Sequence, residues 1–317
     1  MSEWADWMED TAISFPHLGI YLKNVPKSFT VFGFTIAMYG VLIGIGVLLA
    51  FTLISKVAKK SGQNPDDFYE MGIFVLLFGI LGARLYYVIF AWEYYKDNLI
   101  NILNIRQGGL AIYGGVIAGF LTAILYCKHK KWNIWQKTDT AFTGVLVGQI
   151  VGRFGNFTNR EVFGDYTDSL FAMRLPISAV RNRDISETIA AHVTTNYIQV
   201  HPTFLYESFC NLVLLIMILI FFKKRRFNGE GTLWYLGGYG LIRFFVEGIR
   251  TDQLLIPGTM LPVSQFLGAF LFLAAVAAEI VLTIQIKNGK LPVTAEVKAD
   301  PVSDKEQKEQ SEDSAAD

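Results

Sequence analysis

Apolar residues in this chain run without interruption for about 20 positions at a time, the length an α-helix needs to cross ~30 Å of hydrocarbon. Such runs fall at about residues 32–54, 69–91, 109–127, 139–157, 203–222, 232–249 and 263–286. They are continuous rather than one-sided stripes, which places the backbone in lipid, where a helix satisfies its own N–H and C=O groups. The pattern predicts an all-α polytopic membrane protein with about seven transmembrane helices. The fourth run (TDTAFTGVLVGQIVGRFGNF) and the sixth (TLWYLGGYGLIRFFVEGI) carry charges and many glycines and are the weakest.

Basic residues in the short loops set the orientation, because the cytoplasmic side retains them. Residues 55–68 hold Lys56, Lys59 and Lys60; residues 128–138 hold Lys128, Lys130, Lys131 and Lys137; residues 223–231 hold Lys223, Lys224, Arg225 and Arg226. The alternate loops carry fewer, with Lys96 and Arg106 in one and Arg250 in the other. The N-terminus is therefore expected outside and the C-terminus inside. MSEWADWMED is acidic and lacks a basic n-region and a small-residue cleavage site, so residues 1–31 are expected to stay as an extracytoplasmic segment. Residues 158–202 are too long for a plain loop and mix Tyr, Phe, Leu and Pro with charge, which predicts a small outer head within the membrane domain 32–286. Residues 287–317, with five Lys, eight acidic residues and no aromatic, read as a disordered cytoplasmic tail.

Composition agrees. Hydrophobic residues make up 52% and charged residues 18% of the 317, against about 25% charged in soluble chains. Lys and Arg total 28 and Asp and Glu total 28, so no basic field exists to bind nucleic acid. The zero is a sum of basic inner loops and a tail that is net acidic. Cys127 and Cys210 are too few for a disulfide framework, and the four histidines form no HExxH motif. No metal or cofactor is expected. No internal repeat or inverted duplication appears, which speaks against a transporter.

Ionisable residues inside a membrane are costly and mark function. Arg84, Arg153, Glu207, Arg243, Glu247 and Glu279 lie within or at the ends of the runs. Arg84, Arg153 and Arg243, with Tyr39 and Tyr113, fall within about 12 Å of the outer ends of their runs at 1.5 Å per residue. Glu207 begins its run from that side, just after His201, whereas Glu279 lies toward the inner end. Arg153 and Asn156 share a helix face, as do Arg243, Glu247 and Arg250. Any one such arginine is accounted for by snorkelling to the interface or by pairing with Glu207 or Glu247. Several at one depth suit a phosphate diester, because guanidinium binds its oxygens bidentately and keeps its charge. The expected ligand is a phospholipid headgroup. The glycines of GGLAIYGG and YLGGYG lie in or beside apolar runs and read as close helix contacts rather than nucleotide loops. Asn156-Phe157-Thr158 matches a glycosylation pattern by chance, and the tryptophans read mainly as an interfacial belt.

The run Gly152-Arg153-Phe154-Gly155-Asn156-Phe157-Thr158-Asn159-Arg160-Glu161-Val162-Phe163-Gly164 resembles the signature of bacterial prolipoprotein diacylglyceryl transferases, G-R-x-G-N-F-x-N-x-E-x-x-G, at every fixed position. The resemblance covers most of residues 15–286 and includes Met38-Tyr39-Gly40, Gly82-Ala83-Arg84, Gln107-Gly108-Gly109, His201-Pro202, Leu205-Tyr206-Glu207, and Tyr239-Gly240-Leu241-Ile242-Arg243-Phe244 through Glu247 to Arg250. It implies transfer of diacylglycerol from phosphatidylglycerol to the lipobox cysteine of a prolipoprotein, next to its signal peptide. The setting it implies is the outer face of the bacterial cytoplasmic membrane, with membrane lipids as a further partner and glycerol 1-phosphate released. It also implies that Arg153 binds phosphatidylglycerol and that Arg243 is a functional position. Tyr39, Asn156 and Glu161 match family site positions, and Asn159, Gly164, Arg84, Gln107, Glu207, Glu247 and Arg250 complete the expected substrate-binding set. Many family members carry a histidine base before two glycines in the third span; here that position is Tyr113, followed by Gly114 and Gly115.

Making a thioether from a phosphodiester-linked carbon requires a thiolate to attack while a phosphate oxygen leaves. A thiol of pKa near 8.5 costs only about 2 kcal/mol to ionise at pH 7. The larger task is stabilising the growing phosphate charge, which assigns Arg153 and Arg243 to catalysis, with Asn156 and Tyr39 on the headgroup. Glu161, Glu207 and Glu247 read as orienting arginines, leaving His201 and Tyr113 as base candidates. A phenol, with unperturbed pKa near 10, is a poor base at neutral pH. A phospholipid or organic-anion transporter would use the same arginine cluster without bond cleavage.

Overall fold

The computed structural model describes residues 10–105, 108–193, 195–291 and 293. Strands β1 (Ile13–Phe15) and β2 (Ile20–Leu22) come first, then β3 (Ser28–Val31) and β4 (Phe34–Ala37). Helices α1 (Met38–Lys60), α2 (Pro65–Phe90), the single turn α3 (Trp92–Tyr95), α4 (Ile112–His129) and α5 (Ile134–Asn159) follow. Next come β5 (Met173–Pro176), α6 (Glu187–Ala191), β6 (Tyr197–Val200), α7 (Thr203–Phe221), α8 (Glu230–Gly248) and α9 (Val263–Lys287). Trp4, Trp7, Gln107 and all but the start of the 287–317 tail lie outside the described residues.

Among the described residues, helices of 18 residues or more stand at each of the seven apolar runs. Five of them, α1, α2, α4, α7 and α9, are long and apolar enough to cross a membrane, with mean hydropathies from 1.3 to 2.4. α5 and α8 fall short because α5 carries Lys137, Asp139 and Arg153, and α8 carries Glu230, Arg243 and Glu247. The chain is mostly helical and has the apolar helices of a membrane protein.

The all-α expectation needs correction, because the segments between helices also form sheet. β2-β1-β5-β6 is a four-stranded antiparallel sheet, with Ser14 opposite Arg174 and Arg174 opposite Gln199. β5 and β6 follow alternation: Met173, Leu175, Ile198 and Val200 are buried, while Arg174 and Gln199 pair across the other face at 2.9 Å. Ile13, Phe15, Phe163, Ile189 and Phe204 close that core. The N-terminal segment, read from sequence as separate, thus supplies two strands to the 158–202 subdomain.

The first helix also begins six residues later than the apolar run. Residues 28–37 alternate β-branched and aromatic side chains around Phe32-Gly33, both at positive φ (48° and 81°), the requirement of a two-residue hairpin turn. Met38 N–H then donates to Lys27 O at 2.9 Å, closing the hairpin and starting α1. Tyr39 therefore sits in the first turn of its helix, rather than about 10 Å along it as the run implied.

The described residues fall into two compact units, one built from the chain up to Ala50 and from Phe142 onward, the other from Phe51–Ala141. Each is held by close helix contacts. In the second unit a Cβ on Gly82 would lie 2.2 Å from Ala118 Cβ, and one on Gly114 would lie 2.4 Å from Gly82 O. In the first, Gly240 and Gly268 face each other across α8 and α9, each with its place for a Cβ 2.7 Å from the other's carbonyl oxygen. Without apolar solvent release between helices in lipid, such backbone approach provides much of the packing energy.

Candidate active site

In the first unit the signature sequence is the last two turns of α5 and the loop that leaves it. Asn156 Oδ1 accepts from Arg153 Nη1 at 3.3 Å, one turn back on the same face. Beyond Asn159 the backbone turns sharply, with Arg160 and Val162 at φ of 56° and 61°. A β-branched residue at positive φ is a genuine outlier, costing about 1–3 kcal/mol. The strained pair aims Glu161 back at the helix end, where Oε1 accepts from Asn156 Nδ2 and Asn159 Nδ2, both at 3.2 Å. The Tyr39 ring packs against Gly155, where a Cβ would fall 2.2 Å from it.

Four residues on, the loop crosses the ends of two helices. Gly164 N–H donates to His201 O at 3.0 Å, and Asp165 N–H donates to Ile249 O at 2.9 Å. A Cβ on Gly164 would meet His201 Cβ and Ile249 O, each at 2.8 Å. Gly164 serves the site as a backbone crossing that joins α5, α7 and α8. Gly164→Ala is expected to lower Tm in detergent, by the roughly 1–3 kcal/mol of an overpacked position; an unchanged Tm would show that the crossing relaxes freely.

The charges lie where these helices meet. Arg153 Nη2 pairs with Glu207 Oε1 at 2.6 Å, and Arg243 Nη1 pairs with Glu207 Oε2 at 3.2 Å. Arg243 Nη2 reaches Glu247 Oε2 at 2.6 Å, Arg250 Nη1 reaches the same oxygen at 3.1 Å, and Arg250 Nη2 pairs with Asp252 at 2.9 Å. The order is Arg153, Glu207, Arg243, Glu247, Arg250, Asp252, each interior glutamate holding two guanidinium groups. The glutamate side chains are 1% and 3% exposed, against 18%, 15% and 11% for Arg153, Arg243 and Arg250. Buried carboxylates persist because they are paired, and the arginines they orient are the groups left accessible. Tyr239 OH donates to Glu207 Oε1 at 3.4 Å and stacks on Tyr235, centroids 5.8 Å apart.

The structure thus gathers Arg153, Asn156, Asn159, Glu161, Gly164, Tyr39, Glu207, Arg243, Glu247 and Arg250 in one unit. His201 stands at the foot of α7, with Nδ1 3.2 Å from Tyr206 OH. Burial pushes its pKa below the usual histidine value, and Asp165 opposes this in part. Tyr239 and Asp252 went unnoticed as site members in the sequence. Tyr239 lies four residues before Arg243, hence on its face, and Asp252 lies two after Arg250.

Arg84 and Tyr113 belong to the second unit. Arg84 is buried and donates to five backbone carbonyls: Nε to Ile102 at 2.7 Å, Nη1 to Gly108 and Gly109 at 2.9 Å, Nη2 to Asn101 at 2.7 Å and Asn104 at 3.2 Å. Each of its nitrogens is thus engaged by the backbone carbonyls of residues 101, 102, 104, 108 and 109. The place for a Cβ on Gly109 is 2.4 Å from Arg84 Nη1, so that loop needs glycine there. Ala111 N–H donates to Ala83 O at 3.0 Å, setting the start of α4, whose second residue is the half-buried Tyr113.

Known proteins resemble this sequence over most of its length. A family model described as prolipoprotein diacylglyceryl transferase matches residues 26–281. A phosphatidylglycerol–prolipoprotein diacylglyceryl transferase of Finegoldia magna is 38% identical over 260 residues, covering 82% of this chain and 96% of the relative. One from Clostridioides difficile is 36% identical over 262 residues with the same coverage, and one from Bacillus mycoides is 40% identical over 223 residues, 70% of this chain and 80% of the relative. The match takes in the strained signature loop, the glutamate-bridged arginines and six of the seven long helices whole, α9 in part. The chain belongs to the prolipoprotein diacylglyceryl transferase family.

Proposed function

We propose that this protein transfers the diacylglyceryl group of phosphatidylglycerol to the lipobox cysteine of prolipoproteins in a bacterial cytoplasmic membrane. All seven long helices span, with the N-terminus out, the C-terminus in, the β1-β2-β5-β6 head outside and the active site toward the outer leaflet. The cysteine thiolate attacks the glycerol carbon, a C–S bond forms, and the C–O bond to phosphate breaks. The thiol proton passes to a base and glycerol 1-phosphate leaves. The phosphodiester's single negative charge becomes a monoester of about −1.5 to −2 at pH 7. Catalysis must stabilise that added charge, and preorganised guanidinium groups in a low-dielectric site are the means.

The observation that carries this reading is Glu207, one buried carboxylate bridging Arg153 and Arg243 from two helices. It fixes two cations at one place, where the phosphate oxygens take their remaining donors. Asn156 and Tyr39 complete the headgroup contacts, and Glu161 orients Asn156. The deciding experiment supplies phosphatidylglycerol with a cysteine-containing precursor peptide and measures glycerol phosphate release. Release is expected only with both present; lipid movement without release would point instead to transport.

His201 and Tyr113 remain the candidates to receive the proton. Because burial lowers the His201 pKa, the imidazole is neutral and able to accept at pH 7. The unfolded chain protonates this histidine near pH 6.5 while the folded chain resists to lower pH, so stability falls as pH drops from 6.5 through the lower folded value. If His201 is the base, kcat/KM keeps its plateau down to pH 6.5 and declines only below it, and His201→Gln removes that limb. Tyr113→Phe with near wild-type activity would exclude the phenol, and tolerance of Tyr113→His would show that it occupies the family histidine's role.

A further inference from the structure

Glu161 belongs to a second group of charges outside the Arg153–Glu207–Arg243 network. Its Oε2 accepts from Arg181 Nη2 at 2.9 Å, and the Arg181 side chain is 54% exposed. Two residues before Arg181, Ala179 O accepts from Lys27 Nζ at 2.9 Å. Arg160 lies in the same neighbourhood, 2% exposed, with Nη1 on Thr158 O at 2.8 Å and Nη2 on Val25 O at 2.7 Å. Its Nε is buried without a hydrogen-bond partner among the described residues. Asp10, which accepts from Ser178 Oγ, is the other acid there. These charges feel one another: burial first, then Arg160, lowers the Lys27 pKa, Glu161 and Asp10 raise it, and Arg181 lowers it further. Lys27, Arg160 and Arg181 outnumber Glu161 and Asp10 by one.

A hydrogen-bonded path joins this group to the buried arginines. Arg153 donates to Asn156, Asn156 donates to Glu161, and Arg181 donates to the far oxygen of Glu161. Its two ends differ in exposure, 18% for the Arg153 side chain and 54% for that of Arg181. The reaction makes one water-soluble product from substrates held in lipid, and that product carries more negative charge than the headgroup it came from. A half-exposed ion pair such as Arg181–Glu161 is weak, so a phosphate monoester exchanges for Glu161 on Arg181 at little cost.

We propose that Lys27 and Arg181 form an exit site for the phosphate monoester, with the buried Arg160 adding positive charge behind them, receiving it from Arg153 past Asn156 and releasing it to water. The proposal rests on the transferase reading above. It concerns a phosphomonoester dianion, and a lipid phosphodiester is the alternative source of the same chemistry. The test uses purified full-length enzyme with glycerol 1-phosphate as added inhibitor and as a direct binding probe. Lys27→Gln with Arg181→Gln is expected to raise the product inhibition constant and the binding constant about tenfold, the scale of one lost charge-assisted hydrogen bond. KM for phosphatidylglycerol is expected to stay within about twofold, since both pairs are peripheral. Arg181→Lys, which keeps the charge, is expected to restore most of the effect. Unchanged product constants in the double variant overturn the proposal. A raised lipid KM with unchanged product constants also overturns it and assigns the cluster to the headgroup. A wild type that binds glycerol 1-phosphate yet releases none from lipid fails the transferase reading instead, leaving the binding comparison intact.

Discussion

Arg153→Ala is expected to reduce glycerol phosphate release by about 10³-fold, the scale of losing a preorganised donor to a developing oxyanion. The structure makes this a clean experiment. Breaking a buried ion pair by deleting one partner commonly costs about 3–5 kcal/mol, because the other charge is stranded in low dielectric. Glu207 is not stranded here, since Arg243 Nη1 still holds its second oxygen at 3.2 Å and Tyr239 donates to the first. Asn156 likewise keeps its bond to Glu161. Tm in detergent is therefore expected to fall by much less than a stranded carboxylate demands, while activity collapses. Arg153→Lys retains the charge but loses the planar fork, and is expected to recover only part of the rate. A folded Arg153→Ala enzyme with wild-type release of glycerol phosphate would remove this residue from the mechanism.

That separation of stability from activity could not be foreseen from sequence. Helical spacing put Arg153 with Asn156 and Arg243 with Glu247 and Arg250, because i, i+3 and i, i+4 neighbours share a face whatever the fold. It could not show that Glu207, from a third helix, bridges the two arginine faces, since that contact depends on how α5, α7 and α8 pack. Gly164 was legible as a motif position but not as the crossing point that its contacts with His201 and Ile249 reveal. Arg84 shows a related limit of sequence reasoning. Depth within an apolar run marks a charge as costly, yet says nothing of whether a ligand or five backbone carbonyls meet that cost. The apolar runs located the long helices because continuous hydrophobicity is a local property. They overran at the first helix, where the hairpin segment TVFGFTIA is itself apolar, and the positive φ of Phe32-Gly33 separates hairpin from span. The head's sheet was hidden because two of its strands come from residues 13–22 and two from residues 173–200.

Glu207→Gln is expected to be the most destabilising single change at the site, by about 3–5 kcal/mol, and to abolish activity with it. The amide keeps the shape but removes the one negative charge shared by Arg153 and Arg243, so two guanidinium groups face each other across a neutral side chain. Arg243 retains Glu247, whereas Arg153 has no second carboxylate among the described contacts. Glu247→Gln makes the contrast: its two arginines keep Glu207 and Asp252, so its cost is expected to be clearly smaller. Equal Tm losses in the two variants would mean that the alternating chain does not distribute charge as drawn. The same variant separates two chemical roles for Glu207. Were it the base that takes the thiol proton, assaying above pH 8.5, where the acceptor cysteine ionises unaided, would restore the rate. If it orients arginines, raising the pH supplies thiolate but not the geometry that receives the phosphate charge. Activity is then expected to stay absent at pH 9.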